Sequence, residues 1–160
     1  MKDAKHINEI SGVAWQNLAK ANLAGRKEPN YLEKGDIIFS ARGNKNFAVC
    51  LNETPEKAVC SPHFFQIHIK NKHKVLPSFL AWQINQAPAQ KYLINSAEGT
   101  MIRSIRRGIL ESLPIVIPEI KKQKAIAELD FRVKREYTLL QEQINNSRTM
   151  MNAIARDLMK

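Results

Sequence analysis

The chain has 160 residues and a mass of 18.3 kDa, enough for one ordinary domain with an extension but too short for several independent cores. Hydrophobic residues make up 44% and charged residues 25%, as in folded globular proteins, and no apolar run approaches the roughly 18 to 20 residues of a membrane span. With 25 basic and 15 acidic residues the net charge is +10, which favours a polyanionic partner, nucleic acid first. The alternative is a basic surface that serves only solubility.

The amino terminus and the cysteines give the expected compartment. The first ten residues, MKDAKHINEI, carry charges of both signs and no apolar run, so they do not form a signal peptide. Cys50 and Cys60 are too few for a disulfide framework, and their spacing matches no zinc pattern. We therefore expect a cytoplasmic protein that has no membrane partner.

The first half of the chain predicts short antiparallel strands. The sequence before residue 34 shows only weak secondary-structure patterns, which predict a short helix at residues 15–23. Gly35 and Asp36 form a turn before a β-rich run at 37–39, which ends at a second turn beginning at Arg42. A polar stretch, NETPEK, is flanked by two apolar segments and predicts a hairpin loop, and a third segment alternates apolar and polar side chains as in a half-buried strand. These three segments are residues 47–51, 58–60 and 64–69.

The middle of the chain adds helices. Pro77 stands near the first turn of a predicted helix, and residues 90–94 continue a second one before Gly99 ends it. A short helix is predicted after Gly108, and 113–117 is an apolar, β-branched run typical of a strand. The fold class is therefore α+β, a small and mostly antiparallel β-sheet with short helices.

The last 42 residues predict one long helix that pairs with another helix. All seven prolines and all six glycines lie at or before Pro118, so nothing breaks a helix after that point. Apolar residues recur at alternating steps of four and three over about four heptads, with Asp130 and Ser147 as the two gaps, which is the pattern of a coiled coil. We expect two regions, 1–118 and 119–160, and self-association through the second. The alternative is a helix folded back over its own domain. The predicted interface, here called the apolar seam, consists of Ile126, Val133, Tyr137, Leu140, Ile144, Met151, Ile154 and Leu158.

Two basic clusters are the candidate DNA contacts. Arginine forks bind phosphates and guanine edges in a bidentate way, and asparagine in a glycine-flanked turn can contact adenine. A surface charge that only faces solvent is the alternative for each residue. Residues 70–74 are a third basic cluster, more suited to phosphates. The first cluster is Thr100, Arg103, Ser104, Arg106 and Arg107, and the second is Arg42, Asn44, Lys45 and Asn46.

The sequence contains no pattern that predicts catalysis. It has no phosphate-binding Gly-x-x-x-x-Gly-Lys run, no Gly-x-Gly-x-x-Gly and no Asn-Pro-Pro-aromatic tetrapeptide. His63, His68 and His73 recur every five residues near Cys60, but that step alternates the faces of a strand and would scatter metal ligands. We expect no cofactor, no metal site and no enzymatic activity.

Several motifs in order resemble a known family. LEKGDIIFSARG, FAVC, SFLAWQIN and EGTMIRSIRRGILESLPIVIPEIKKQKAIAELD are similar to the target recognition domain and spacer helix of the specificity subunit of type I DNA restriction-modification enzymes. The matching positions are Gly35, Asp36, Gly99, Thr100, Leu113, Ile115, Pro118 and Gln123, and the resemblance extends over roughly residues 2–160. Lys121 and Lys122 depart from the usual residues before the helix glutamine.

The resemblance implies a function and a set of partners. Full-length members carry two such units, whose helices pair antiparallel so that each unit recognises half of a bipartite site on double-stranded DNA. This chain then resembles half a subunit. The resemblance implies that the two-unit arrangement is restored by a homodimer or by pairing with another half-subunit. Methyltransferase and restriction subunits are the further partners that it implies. The competing hypothesis is a non-catalytic interaction scaffold whose helix docks a partner without recognising a DNA sequence.

Overall fold

The computed structural model describes residues 7–18, 29–55, 57–97 and 103–159. Within these ranges the chain is α+β, as predicted, and every strand pair is antiparallel. The strands are β1 Ile7–Asn8, β2 Gly12–Val13, β3 Ile37–Ser40, β4 Arg42–Gly43, β5 Ala48–Cys50, β6 Phe64–Ile67 and β7 Arg103–Ser104. The helices are a 3-10 turn at Trp15–Asn17, α1 Pro77–Asn85, α2 Ala87–Ser96, α3 Arg107–Glu111 and α4 Ile120–Leu158.

Strand β3 lies at the centre of the sheet, between β5 and β6. All four of its residues are buried, because each face of the strand packs into a different cluster. Ile37 and Phe39 face the cluster formed with α1 and α2, whereas Ile38 belongs to the cluster that includes Ile7 and Val49. Successive side chains of a strand point to opposite faces, so one continuous apolar run supplies both clusters.

Two sequence-based predictions of strands are wrong. β5 pairs with β3 instead of forming a hairpin with 58–60, and Val59 makes an isolated bridge to Tyr31. Strand β3 can form backbone hydrogen bonds along both of its edges, and β5 occupies one of them. The two segments that flank the polar loop therefore pair with β3 and with Tyr31, and not with each other. The strand predicted at 113–117 does not form, since Pro114 has no N–H to donate to a ladder.

Helix α1 is bound to the sheet through one side chain as well as through its apolar face. Ala81 and Ile84 are buried in the same cluster as the inner face of the sheet, and Asn85 reaches the outer edge of β5. There its Oδ1 accepts the N–H of Ala48 at 2.8 Å, and its Nδ2 donates to the Ala48 carbonyl at 2.8 Å. The amide thus replaces the strand that β5 lacks on that edge.

Helix α4 has 39 residues, which corresponds to about 58 Å at 1.5 Å per residue. Its first turns pack on α1, and Gln123 is its one buried residue in the described part of the chain. Every described residue from Leu139 onward is exposed. The helix therefore lies along the globular region first and extends away from it afterwards. Over the described residues, no helix is long and apolar enough to cross a membrane.

We predict that Asn85→Ala lowers the free energy of unfolding by about 1–3 kcal/mol, because the buried N–H and carbonyl of Ala48 lose their partners. Urea denaturation measures this change. The matched control is Asn95→Ala, at an exposed position of α2, where a change within about 0.5 kcal/mol is expected. Equal effects of the two substitutions would contradict the role given to Asn85.

Candidate nucleic-acid interface

The two predicted DNA-contact clusters lie next to each other, because β4 and β7 pair. Arg42 is opposite Ser104, and Gly43 is opposite Arg103. We call residues 42–45 and 103–107 the basic ribbon. About sixty residues separate the two strands in sequence, so neither cluster alone predicts the pairing. The arrangement places Arg42 and Arg103 on one two-stranded element, and Arg106 and Arg107 follow it at the start of α3.

The basic ribbon begins in the core. Ala41 and Ile105, which precede β4 and follow β7, are 2% and 1% exposed. The N–H of Ile105 donates to the Ala41 carbonyl at 2.8 Å, and the N–H of Ala41 donates to the His63 carbonyl at 2.9 Å. The ribbon is consequently a continuation of the central sheet and is held in a fixed direction.

The turn that closes β4 is braced by Asn46. This side chain is buried at 5% exposure, and its Nδ2 donates to the Ser40 carbonyl at 2.8 Å. The Ser40 N–H donates to the Phe47 carbonyl at 2.8 Å, and Gly43 adopts φ of 150°, where side chains are strained. Asn46, which we expected at the DNA, has its amide engaged inside the turn; it shapes the turn and does not face outward.

Four charged side chains of the ribbon are at the surface. Arg42, Arg106 and Arg107 are exposed, and the Arg107 Nε contacts the Glu111 carboxylate at 2.7 Å, while Lys45 pairs with Glu9. Ion pairs between exposed side chains contribute only about 0–1 kcal/mol, so these cations can exchange their carboxylates for phosphates at low cost. Asn44 is exposed and Ser104 half-buried.

Some predicted contacts are not described by the structure. Thr100 lies outside the described residues, and only the backbone of Arg103 is described. The third basic cluster, residues 70–74, is exposed but lies beyond the end of β6, next to Ile37, whereas the ribbon follows Ser40. These lysines are therefore at the opposite end of the sheet from the ribbon. Whether any of these residues contacts DNA stays a prediction.

A buried carboxylate orders the other end of the sheet. Asp36 is 1% exposed and accepts the N–H of Glu33 at 2.9 Å, the amide of Gln66 at 2.7 Å and Nδ1 of His68 at 2.8 Å. Burial raises the pKa of this carboxyl, but the hydrogen bonds from Glu33, His68 and Gln66 outweigh burial, so its pKa lies below the ordinary value. Sequence analysis identified Asp36 as a turn residue and missed this network, because its partners are 30 and 32 residues away.

In the described part of the chain, the cysteines are free, partly buried thiols, and one histidine is bound by a carboxylate. Burial raises the pKa of Cys50 and of Cys60 to about 11, so both thiols stay protonated at neutral pH. His68 is bound to Asp36, and the described part of the chain contains no group of three or more potential ligands close enough to hold a metal ion.

The apolar seam lies on a different face of α4 from the one that packs on the globular region. The side chains of Gln123, Ala127, Asp130, Lys134 and Thr138 are buried or half-buried and mark the packed face. At 3.6 residues per turn the seam is displaced from that face by about a quarter turn. Ile126 is half-buried, and Tyr137 lines a groove shared with residues 8–11, Lys45 and Phe47. The exposed seam residues are Val133, Tyr137, Leu140, Ile144, Met151, Ile154 and Leu158.

A comparison with protein families matches residues 6–147 to the type I restriction modification DNA specificity domain. The chain belongs to this family. Its role is therefore DNA specificity in type I restriction-modification, and the resemblance stated from the sequence is confirmed over these residues. The specificity domain is a DNA-recognition module. A comparison with curated proteins found no match. The family match includes the basic ribbon, the Asp36 network and α4 as far as Ser147.

We predict that Asp36 makes the specificity domain sensitive to acid. Because its pKa is lower in the folded than in the unfolded chain, its stabilising effect is present at neutral pH and is lost as the pH falls below about 4 towards the folded value. Asp36→Asn should lower the free energy of unfolding at pH 7 by about 1–3 kcal/mol and flatten the decline below about pH 4. Urea unfolding at each pH measures both effects, with the exposed Glu53→Gln as control. A variant that declines as steeply as the wild type would refute the prediction.

Proposed function

We propose that this chain is the DNA sequence-recognition subunit of a type I restriction-modification complex and recognises one half of a bipartite site through the basic ribbon. The observation that carries the proposal is the pairing of β4 with β7, which brings two separately predicted clusters next to each other. In the proposed complex the chain has no catalytic step of its own, and the methyltransferase and restriction subunits supply the chemistry. The complex would act in the cytoplasm, where unmodified DNA is encountered.

The shape and charge of the ribbon suit duplex DNA. A two-stranded β-ribbon is narrow enough to enter the major groove, where each base pair presents a distinct set of donors and acceptors. Arg42 supplies an exposed forked donor on the ribbon strand, and Asn44 lies at the tip of the turn. Arg106 and Arg107 supply exposed donors beside the ribbon, at the start of α3. Because the root of the ribbon is fixed by Ala41 and Ile105, little ordering is required when DNA binds.

The apolar seam supports pairing of two such chains. Seven large apolar side chains are exposed along one stripe of α4, and a stripe at this spacing is normally covered by another helix. An antiparallel pair with a two-fold axis would hold the two ribbons at a fixed separation and opposite orientation. Such a dimer would recognise an inverted repeat with a nonspecific gap. A different half-subunit with a matching seam would give two unlike half-sites.

The second candidate function is a scaffold in which α4 docks a partner helix and the globular region recognises no DNA sequence. The exposed seam alone favours it, since helix docking needs no basic ribbon. The two functions differ in what the ribbon arginines do.

We predict that the triple variant Arg42→Ala, Arg106→Ala, Arg107→Ala binds its DNA site at least about tenfold more weakly than the wild type, since each arginine that grips a base or phosphate contributes about 1–3 kcal/mol. The slope of log affinity against log salt should fall by about 0.9 for each phosphate that an arginine no longer neutralises. Fluorescence anisotropy on duplexes selected from a random pool measures both quantities.

The control for this variant removes the same charge elsewhere. The substitutions Arg132→Ala, Arg148→Ala and Arg156→Ala on the exposed surface of α4 should leave sequence-specific binding within about twofold. Equal losses in the two triple variants, or a wild-type chain that selects no duplex sequence, would favour the scaffold.

We predict that Leu140→Glu with Ile144→Glu converts the dimer to a monomer of 18.3 kDa, because two carboxylates would be buried in the seam. Sedimentation equilibrium at micromolar concentration gives the mass. The control, Leu139→Glu with Met150→Glu, changes two equally exposed apolar residues of α4 outside the seam and should remain dimeric. A dimer that survives the first pair, or a wild-type monomer, would contradict pairing through the seam.

A further inference from the structure

Gln123 joins α4 to the globular region in a way that apolar packing cannot. Its side chain is 0% exposed, and it makes three hydrogen bonds to backbone groups. The Oε1 accepts the N–H of Leu76 at 2.9 Å, and the Nε2 donates to the carbonyls of Lys74 at 2.9 Å and of Pro118 at 2.7 Å. We call Gln123 with these three backbone partners the helix junction.

Both N–H groups and the carbonyl oxygen of the Gln123 amide form hydrogen bonds. No other side chain of this size offers two donors and an acceptor in this arrangement. A glutamate at position 123 could accept from Leu76 but would place a carboxylate oxygen against two carbonyls. A methionine would fill the same space and leave all three backbone groups without partners. The junction therefore specifies one orientation of the first turn of α4.

The partners of Gln123 are themselves fixed. The Leu76 carbonyl accepts the N–H of Leu80 in the first turn of α1, and the N–H of Lys74 donates to the Asn71 carbonyl in the preceding turn. Farther along the packed face of α4, Asp130, Lys134 and Thr138 are only half-buried. Gln123 is thus the most strongly held point of α4 among the described residues.

The length of α4 amplifies any change at the junction. A rotation of about 10° at one end of a helix of about 58 Å moves the other end by about 10 Å. That displacement equals about three base-pair steps of roughly 3.4 Å. A loosened junction would therefore change which gap between half-sites a paired complex can span.

We propose that Gln123 is a positioning residue that fixes the direction of α4 relative to the basic ribbon and so sets the length of the gap between the two half-sites. This inference rests on the proposed function, because the gap exists only if two chains recognise one bipartite site. Gln123 contacts no DNA in this proposal; it acts through the helix that it orients.

The first experiment compares gap preference. Duplexes carry the selected half-site in inverted repeat with gaps varied one base pair at a time, and binding is measured for wild type, Gln123→Met and Gln90→Met. Gln90 is the matched control, since its amide donates to the Ile84 carbonyl at 2.8 Å, a hydrogen bond that joins α2 to α1 inside the globular region. Thermal unfolding shows whether the two variants lose comparable stability.

Wild type and Gln90→Met should bind one gap length at least about tenfold better than its neighbours, whereas Gln123→Met should prefer it by less than about threefold. Binding to a single half-site should stay within about twofold for all three proteins. If Gln123→Met does not fold, Gln123→Glu replaces it, because that variant keeps the acceptor for Leu76. A Gln123 variant with the wild-type gap preference would overturn the proposal.

The second experiment tests the junction without DNA. Spin labels are introduced as unnatural amino acids at Glu53 and Asn146, which are both exposed. The distance between the two labels reports the position of α4 relative to the globular region. Labelled chains are diluted with unlabelled chains so that only distances within one chain are measured. The distance distribution should broaden in Gln123→Met but not in Gln90→Met, and an unchanged distribution overturns the role of Gln123. A wild-type chain that selects no duplex overturns the proposed function instead, and the distances then still show whether the junction orients α4.

Discussion

The structure depends on the burial of β3 on both faces. Its apolar residues serve two clusters at once, and its backbone pairs with β5 on one side and β6 on the other. Since both edges and both faces of this strand are satisfied by protein, whatever is attached to its two ends has a fixed position. At one end Asp36 orders the loop and His68, and at the other Ala41 continues into the basic ribbon.

Buried and exposed polar groups have different roles in this structure. Asp36 and Asn46 are buried, and their hydrogen bonds hold turns whose backbone would otherwise lose its partners. Arg42, Arg106 and Arg107 are exposed, and the ion pair between Arg107 and Glu111 lies at the surface, which suits a cation that exchanges partners when a polyanion arrives. The molecule thus separates buried polar groups that set geometry from surface charges that are available for binding.

The positions of the ribbon and of the helix junction explain how one chain could help to set the distance between two half-sites on DNA. The junction lies near Lys74 and Leu76, beyond the end of the sheet opposite the ribbon, and α4 runs from there past the globular region until it is fully exposed. The direction of the helix and the direction of the ribbon are therefore both fixed by the same sheet. In a paired complex this rigidity, more than the chemistry of the helix surface, would determine which DNA sites fit.

The sequence by itself determined the elements that have local causes. The Gly35-Asp36 turn predicts the start of β3, Pro77 predicts the first turn of α1, and a chain without glycine or proline after Pro118 predicts α4. Only the tertiary structure decided the partners of β5, the pairing of the two arginine clusters and the contacts of Asp36 and Gln123. These contacts depend on which distant segments of the chain pack together. That packing is stabilised by the simultaneous burial of both faces of β3, which cannot be deduced from any short stretch of sequence.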